Sequence, residues 1–252
     1  MEIKRKREFY SVILLVLIYL LFVSIPFPMF IKNEDVCFTL NVSMRVLFIP
    51  FFFVYVKKEN LLSLNKPEFK LIDFKYLPFI ILTVSNFIVS IVSRFSLNET
   101  ISTMDILKSL ILSIFIAFNE ELVFRVVIIK EMIVGLNRFK TILFSSIVFG
   151  LIHLVNIGSF ASIPYVLLQV LYSFGMGLVL ALIFTNTYNF IYVFIIHFLF
   201  DFLNGDLVEI LYEFENNYLF FILNIAIAVL LGIYGILVYV KEEKNVSKTM
   251  DI

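Results

Sequence analysis

Long apolar segments recur along the whole chain and limit what it can fold into. Because an α-helix rises about 1.5 Å per residue, about 20 apolar residues cross a bilayer core of about 30 Å. Lipid offers no partner to an unpaired backbone group, so each such segment is expected to be helical. The sequence therefore predicts an all-α, polytopic transmembrane bundle of eight helices, the seventh being short, at 9–30, 37–56, 76–93, 104–134, 140–157, 163–185, 189–203 and 218–240.

The composition excludes several other classes of protein. Of the 252 residues, 61% are hydrophobic and 16% are charged, too little polar surface for a soluble domain. The net charge of +0 provides no basic field for nucleic acid, so the expected surroundings are the lipid bilayer. Cys37 is the single cysteine, which rules out an internal disulfide and a Cys-based zinc site. The first apolar segment lacks a cleavage site and is predicted to be a retained helix.

Basic residues are distributed unevenly among the connections. Cytoplasmic loops are enriched in Lys and Arg, so the basic connections are expected on the inside. With eight helices, this pattern predicts that both termini are cytoplasmic and that residues 1–252 form one integral membrane domain. The basic residues lie at the amino terminus, in two connections and in the tail: Lys4, Arg5, Lys6, Arg7, Lys57, Lys58, Lys66, Lys70, Lys75, Lys130, Arg138, Lys140, Lys241, Lys244 and Lys248.

A few ionisable side chains fall inside the predicted spans, where they are costly and usually mark function. They include both histidines of the chain: Glu120, Glu121, Arg125, His153, His197 and Asp201. Residues four apart share a helix face, which predicts a Glu121–Arg125 pair and a His197–Asp201 pair. Glu120 is rotated by about 100° from its neighbour and is expected to point elsewhere.

Depth along the helices places these groups together. Counted from the predicted cytoplasmic ends, Glu120, His153 and His197 lie roughly 15, 18 and 12 Å below the inner surface. The three side chains are therefore expected in one layer. A structural alternative remains for each fragment: a Glu–Arg pair that only holds helices together, or a buried histidine bonded to a neighbour.

This set of side chains fits more than one chemistry. A water held between a carboxylate and an imidazole can hydrolyse a peptide bond without a covalent intermediate. Carboxylates and imidazoles also bind Zn²⁺, with Glu120, His153, His197 and Asp201 as the candidate ligands. The absence of His-Glu-x-x-His excludes a zincin-type site. A proton relay or transporter is disfavoured because no paired, Gly- or Pro-interrupted helices occur in corresponding halves.

Three short motifs follow one another in order: Glu120-Glu121-x-x-x-Arg125, Phe149-x-x-x-His153 and His197-x-x-x-Asp201. They resemble the three signatures of the CPBP family, which comprises CAAX prenyl proteases of the Rce1 type and bacteriocin-processing and immunity proteins, often called Abi proteins. The resemblance covers residues 104–204, the expected catalytic core. Residues 1–103 would be additional amino-terminal helices, and 204–252 the last helix and tail.

The resemblance implies an intramembrane metalloendopeptidase with assigned roles for these residues. Glu120 would activate the water and His153 would help to hold it. Glu121 and Arg125 would support the site, and Phe149 would pack the His153 helix. His197 and Asp201 would stabilise the oxyanion or complete a Zn²⁺ site, and a metal-free mechanism is the alternative. The family motif ends in Asn or Asp, and an ionised Asp cannot donate to an oxyanion, so Asp201 acts protonated or holds a cation.

The expected substrate is a peptide or membrane protein, cut near the cytoplasmic side of a bacterial plasma membrane. The family resemblance connects this activity with processing of, or self-immunity to, bacteriocin or signalling peptides. The competing hypothesis is a non-catalytic membrane protein that confers immunity by binding a peptide and keeps the polar cluster for structure.

Overall fold

The computed structural model describes residues 2–58 apart from 24 and 26, residues 74–82, 84–85 and 88, residues 102–158 apart from 134, and residues 163–204 and 218–250. Regular structure in this part of the chain is entirely helical. Short 3₁₀ segments cover Phe74–Tyr76 and Ile152–Gly158. The α-helices are α1 (Glu2–Val23), α2 (Phe27–Phe30), α3 (Glu34–Lys58), α4 (Thr103–Glu121), α5 (Arg138–Leu151), α6 (Ile163–Thr187), α7 (Phe190–Asn204) and α8 (Tyr218–Met250).

The helices confirm a multi-pass membrane protein of the all-α class. Four described segments are long and apolar enough to cross a bilayer: Glu34–Lys58, Arg138–Ile157, Val166–Thr187 and Ile225–Lys244. Shorter apolar helices cover Tyr10–Val23 and Phe190–Leu203. Much of the third predicted span, 76–93, lies outside the described residues. The count of eight spans and the side of each terminus stay predictions.

Capping side chains fix where α4 and α5 begin. Ser102 accepts a hydrogen bond from the Asp105 backbone, and the Asp105 side chain accepts one from the Ser102 backbone. This reciprocal capping box satisfies two donors at the start of α4. Asn137 caps α5 by accepting from the Lys140 backbone at 2.8 Å. The residues at each start therefore determine where α4 and α5 begin. These starts fix the positions of the charged side chains that lie further along the two helices.

The helix that begins with α4 changes its geometry directly after the two glutamates. Leu122–Ile129 is a π-helix, followed by an α-helical turn at Lys130–Met132. Every residue of the π-helix is buried. The Ser145 hydroxyl of α5 donates to the Phe124 carbonyl at 2.9 Å, which ties this wider backbone to its neighbour. π-Helical turns are rare and occur frequently at functional sites.

Glycines allow α6 and α8 to approach closely. A Cβ added to Gly175 would lie 2.7 Å from the backbone nitrogen of Gly232, so a side chain does not fit there. Gly177 faces α5, where an added Cβ would lie 3.1 Å from the Phe149 ring. Small residues at such contacts permit the close van der Waals packing that joins helices in membranes.

The end of the bundle that contains Lys57, Lys75, Arg138 and Lys241 is called the basic end. There Lys75 forms an ion pair of 2.8 Å with Glu242 of α8. The Tyr55 hydroxyl near the end of α3 donates to Glu131 at 3.3 Å. The first contact joins one predicted cytoplasmic connection to the tail, and the second joins the end of α3 to the turn after the π-helix.

The opposite end of the bundle, which we call the cavity end, contains the starts of α3 and α4. Lys108 of α4 forms an ion pair of 2.5 Å with Asp35 of α3. The Asp35 side chain is largely exposed. Residues near the ends of α1 and α7 and in the first half of α6 line one cavity together with these starts.

Candidate active site

The adjacent glutamates of α4 point in different directions, as their spacing predicts. Glu121 is fully buried, and its Oε2 atom lies 3.1 Å from Nε of Arg125. The two atoms do not form a hydrogen bond with each other, so the contact is an ion pair. The Arg125 guanidinium carbon also lies 4.7 Å from the centre of the Phe149 ring. A cation over an aromatic face is stabilised by the ring quadrupole, which adds to the Coulomb attraction.

His197 of α7 connects both glutamates to Asp201. Its Nδ1 atom lies 2.8 Å from Glu121 Oε1. Its Nε2 atom lies 3.3 Å from Asp201 Oδ2 and 3.6 Å from Glu120 Oε2. An ionised carboxylate only accepts hydrogen bonds, so Nδ1 donates to Glu121. The predicted His197–Asp201 pair is confirmed, whereas the contact between His197 and Glu121 was not predicted.

Phe149 lies between the two imidazoles. Its ring centre is 5.6 Å from that of His153 and 5.5 Å from that of His197. Both histidines meet this ring edge to face, with interplanar angles of 83° and 85°. One buried phenylalanine therefore packs against both rings and brings the two histidines close together.

Tyr19 of α1 also belongs to this cluster, although it lies in none of the three sequence motifs. Its hydroxyl donates to Glu120 Oε1 at 3.2 Å. The ring is buried against Phe48 and Phe124, with centre distances of 5.2 and 6.5 Å. The available sequence signal was a tyrosine in the middle of an apolar span, far from either membrane interface. Such a hydroxyl needs a partner when it is buried.

Arg45 of α3 approaches the cluster from another side. The Asn119 side chain donates to the Arg45 carbonyl at 3.0 Å, which links α4 to α3 next to Glu120. Arg45 Nη1 donates to the Asn41 carbonyl at 3.1 Å. Its buried Nε atom has no hydrogen-bond partner among the described residues. This cation is therefore held in position with one donor unused.

A cavity of about 700 Å³ unites part of this set. Four of the six candidate residues line it, namely Glu120, His153, His197 and Asp201. Three buried polar atoms, Glu120 Oε2, His153 Nε2 and Asp201 Oδ2, have no hydrogen-bond partner within the described structure. Unpaired buried polar atoms are costly and call for an explanation. Water or a polar substrate group in the cavity would satisfy them.

The other two candidate residues, Glu121 and Arg125, are absent from the cavity wall. Both are fully buried behind it. Glu121 nevertheless reaches the cavity indirectly, because it contacts Nδ1 of His197. The structure thus separates two residues that support the site from four that can touch a ligand.

The predicted metal ligands share the cavity but do not form a metal site here. Among the described residues, no group of three or more His, Cys, Asp or Glu side chains is placed to hold a metal ion. The ligand types suit Zn²⁺, whereas their arrangement in this structure does not. A metal stays a prediction from the sequence.

Comparison with known proteins supports the relationship carried by the motifs. Residues 102–203 match the family described as type II CAAX prenyl endopeptidase Rce1-like. The matched segment contains all six candidate site residues. No curated protein matches the chain significantly. No solved structure matches it either.

Proposed function

We propose that the protein is an intramembrane endopeptidase that uses a water activated by Glu120, because residues 102–203 match the Rce1-like family of type II CAAX prenyl endopeptidases. One observation carries the proposal. Glu120 Oε2 and His153 Nε2 are buried atoms without hydrogen-bond partners among the residues that the structure describes, and both residues line the same cavity. A carboxylate and an imidazole that face a common space can hold one water molecule between them.

The first step is attack of this water on the substrate carbonyl carbon. Glu120 Oε2 accepts a proton from the water as the oxygen–carbon bond forms, while His153 Nε2 holds the water by a hydrogen bond. The other oxygen of Glu120 accepts the Tyr19 hydroxyl, so the side chain cannot turn freely. Holding a base and a nucleophile in place reduces the entropic cost of reaching the transition state.

The tetrahedral intermediate carries a negative oxygen that needs donors. His197 Nε2 faces the cavity and offers one donor when this nitrogen is protonated, and protonated Asp201 offers a second. Arg45 provides a third candidate, because its Nε donor is unused. Donors that are in place before reaction stabilise developing charge effectively. The peptide bond then breaks, and the proton held by Glu120 passes to the leaving amine.

Glu121 and Arg125 act by positioning other groups. The carboxylate of Glu121 contacts both the Arg125 guanidinium and His197 Nδ1. It thereby orients the imidazole so that Nε2 points at the reacting atoms. Outer hydrogen-bond partners of this type fix ring orientation and tautomer. Arg125 neutralises the Glu121 carboxylate and is itself covered by Phe149.

We further propose that the substrate is a peptide or a segment of a membrane protein, cut in the plasma membrane of a bacterium. Processing of, or immunity to, a bacteriocin or signalling peptide is the biological role that fits such an activity. The steps above use only side chains of the chain itself and do not depend on a metal ion.

The test compares Glu120→Gln with a matched control, Glu131→Gln. Glu131 is a buried glutamate on the same continuous helix, and it accepts a hydrogen bond from Tyr55 that glutamine can keep. Peptide termini are measured by mass spectrometry in membranes and medium of cells producing each variant. Termini that require the wild type and persist in Glu131→Gln but vanish in Glu120→Gln support proteolysis. Identical termini in all three, together with an intact immunity phenotype, would support a peptide-binding protein instead.

A further inference from the structure

We infer that the cavity opens at the face of the membrane opposite the cytoplasm, and that the substrate is a polypeptide segment presented from that face. The substrate part of this inference rests on the proposed function. The direction of the opening does not, because it follows from which helix ends form the cavity wall.

The wall is built from matching ends of the helices. α3, α4 and α6 contribute residues from their amino-terminal halves, such as Cys37, Ser109 and Gln169. α1 and α7 contribute residues from their carboxyl-terminal halves, such as Val23 and Asp201. α1 and α7 run opposite to α3, α4 and α6, and this arrangement brings these halves to one end of the bundle. The cavity therefore extends from Glu120 to the cavity end and not to the basic end.

Charged residues line the outer part of the cavity. They are Lys32 and Glu34 before and at the start of α3, and Asp105 and Lys108 in the first turns of α4. Lys32 and Asp105 are exposed. Ionisable groups at this level require water or a polar ligand, because they are too costly in hydrocarbon. The cavity is thus continuous with the aqueous phase beyond the cavity end.

The basic end identifies the other side of the membrane. Lys and Arg residues near span ends set orientation, and the side on which they collect is cytoplasmic. Two connections and the tail carry such residues at the basic end, and the Lys75–Glu242 ion pair joins one of these connections to the tail. The cavity end therefore faces away from the cytoplasm. This differs from the sequence-based expectation of cleavage near the cytoplasmic side. The depth of a residue along its helix does not show towards which face of the membrane a cavity opens.

Depth in the cavity limits the form of the substrate. Glu120 lies 15 positions after Asp105 on one helix, which corresponds to about 22 Å. A folded protein cannot reach that far into a cavity of about 700 Å³. The segment that is cut is therefore extended, and it enters from outside the cytoplasm.

Two single-cysteine variants test the direction of the opening. In a Cys37→Ser background, Lys32→Cys introduces a thiol at the cavity mouth, and Lys57→Cys introduces one at the other end of α3. Both lysines are exposed, so both thiols can react. Intact cells are treated with a charged maleimide that does not cross membranes, before and after permeabilisation. In intact cells, we expect the Lys32→Cys protein to be labelled at least tenfold faster than the Lys57→Cys protein. The Lys57→Cys protein is expected to be labelled only after permeabilisation.

Labelling of Lys57→Cys but not Lys32→Cys in intact cells would overturn the inference, as would equal labelling of both. Neither result bears on catalysis, so the proposed protease activity is judged separately by the Glu120→Gln comparison. The second measurement is cleavage. A bulky maleimide attached to Lys32→Cys is expected to lower the cleavage rate at least tenfold, whereas the same adduct on Lys57→Cys leaves it unchanged. Unchanged cleavage with the mouth modified would contradict substrate passage by this route.

Discussion

Replacing Tyr19 with phenylalanine removes one hydroxyl and tests whether α1 takes part in the site. The ring keeps its contacts with Phe48 and Phe124. What disappears is the hydrogen bond of 3.2 Å to Glu120 Oε1. We expect the variant to fold, to bind substrate normally and to cleave it slowly, because the carboxylate is no longer held towards the water.

The size of the effect follows from the type of bond. A hydrogen bond to a charged group contributes about 1.5–3 kcal/mol. If this interaction is lost in the transition state, kcat falls by about 10- to 100-fold, since about 1.4 kcal/mol corresponds to a factor of ten. KM changes little, because Tyr19 is not on the cavity wall.

Tyr55→Phe is the matched control for this experiment. It removes a hydroxyl that also donates to a glutamate, Glu131, at 3.3 Å, but at the basic end. Both variants are purified in detergent, and thermal unfolding is compared with kcat and KM on a peptide whose cleavage has been identified. We expect the two variants to lose similar amounts of thermal stability. Only Tyr19→Phe is expected to have a lower kcat. Wild-type kcat in Tyr19→Phe would refute the idea that this hydroxyl positions the base.

Three further results are expected. Gly175→Ala should destabilise the protein by about 1–3 kcal/mol, because the new Cβ meets the α8 backbone at 2.7 Å. Gly232→Ala is the control, since among the described residues its Cβ would meet only Leu171, at 3.6 Å. Equal unfolding temperatures for the two variants would contradict the packing argument. Asp201→Asn should retain at least a tenth of the cleavage rate, because an amide can donate to the oxyanion. Asp201→Leu has no donor and should lose cleavage. Equal cleavage rates for the two variants would show that Asp201 takes no part in the mechanism. Excess EDTA should leave the initial cleavage rate within twofold, and a loss restored by Zn²⁺ would show that a metal takes part.

Local spacing explains why part of the site could be predicted from the sequence. The ion pair between Glu121 and Arg125 lies within one turn of one helix, and so does the contact between His197 and Asp201. Their geometry follows from helical periodicity and needs no knowledge of the fold. The shared layer was also predictable, because helix rise converts residue number into depth.

Contacts between distant helices could not be predicted in the same way. The hydrogen bond from Tyr19 to Glu120 spans 101 positions, and the contact of Glu121 with His197 spans 76. Both depend on how helices pack around one another, which hydrophobicity alone does not specify in lipid. The π-helix after Glu121 contains no proline or glycine from which it could be predicted. Leu122–Ile129 is apolar throughout except for Arg125. The direction of the cavity likewise emerges only when several helix ends are brought together.

The last helix is much longer than a membrane is thick. α8 contains 33 residues, so it extends for about 50 Å, whereas the hydrocarbon core measures about 30 Å. The remainder of the helix extends beyond the bilayer. The ion pair between Lys75 and Glu242 fixes its position near the membrane surface. A fluorescent protein or affinity tag joined to the carboxyl terminus would therefore be carried away from the lipid headgroups, on the side remote from the cavity mouth. Such a fusion can report on position, assembly or abundance while the route to Glu120 stays clear.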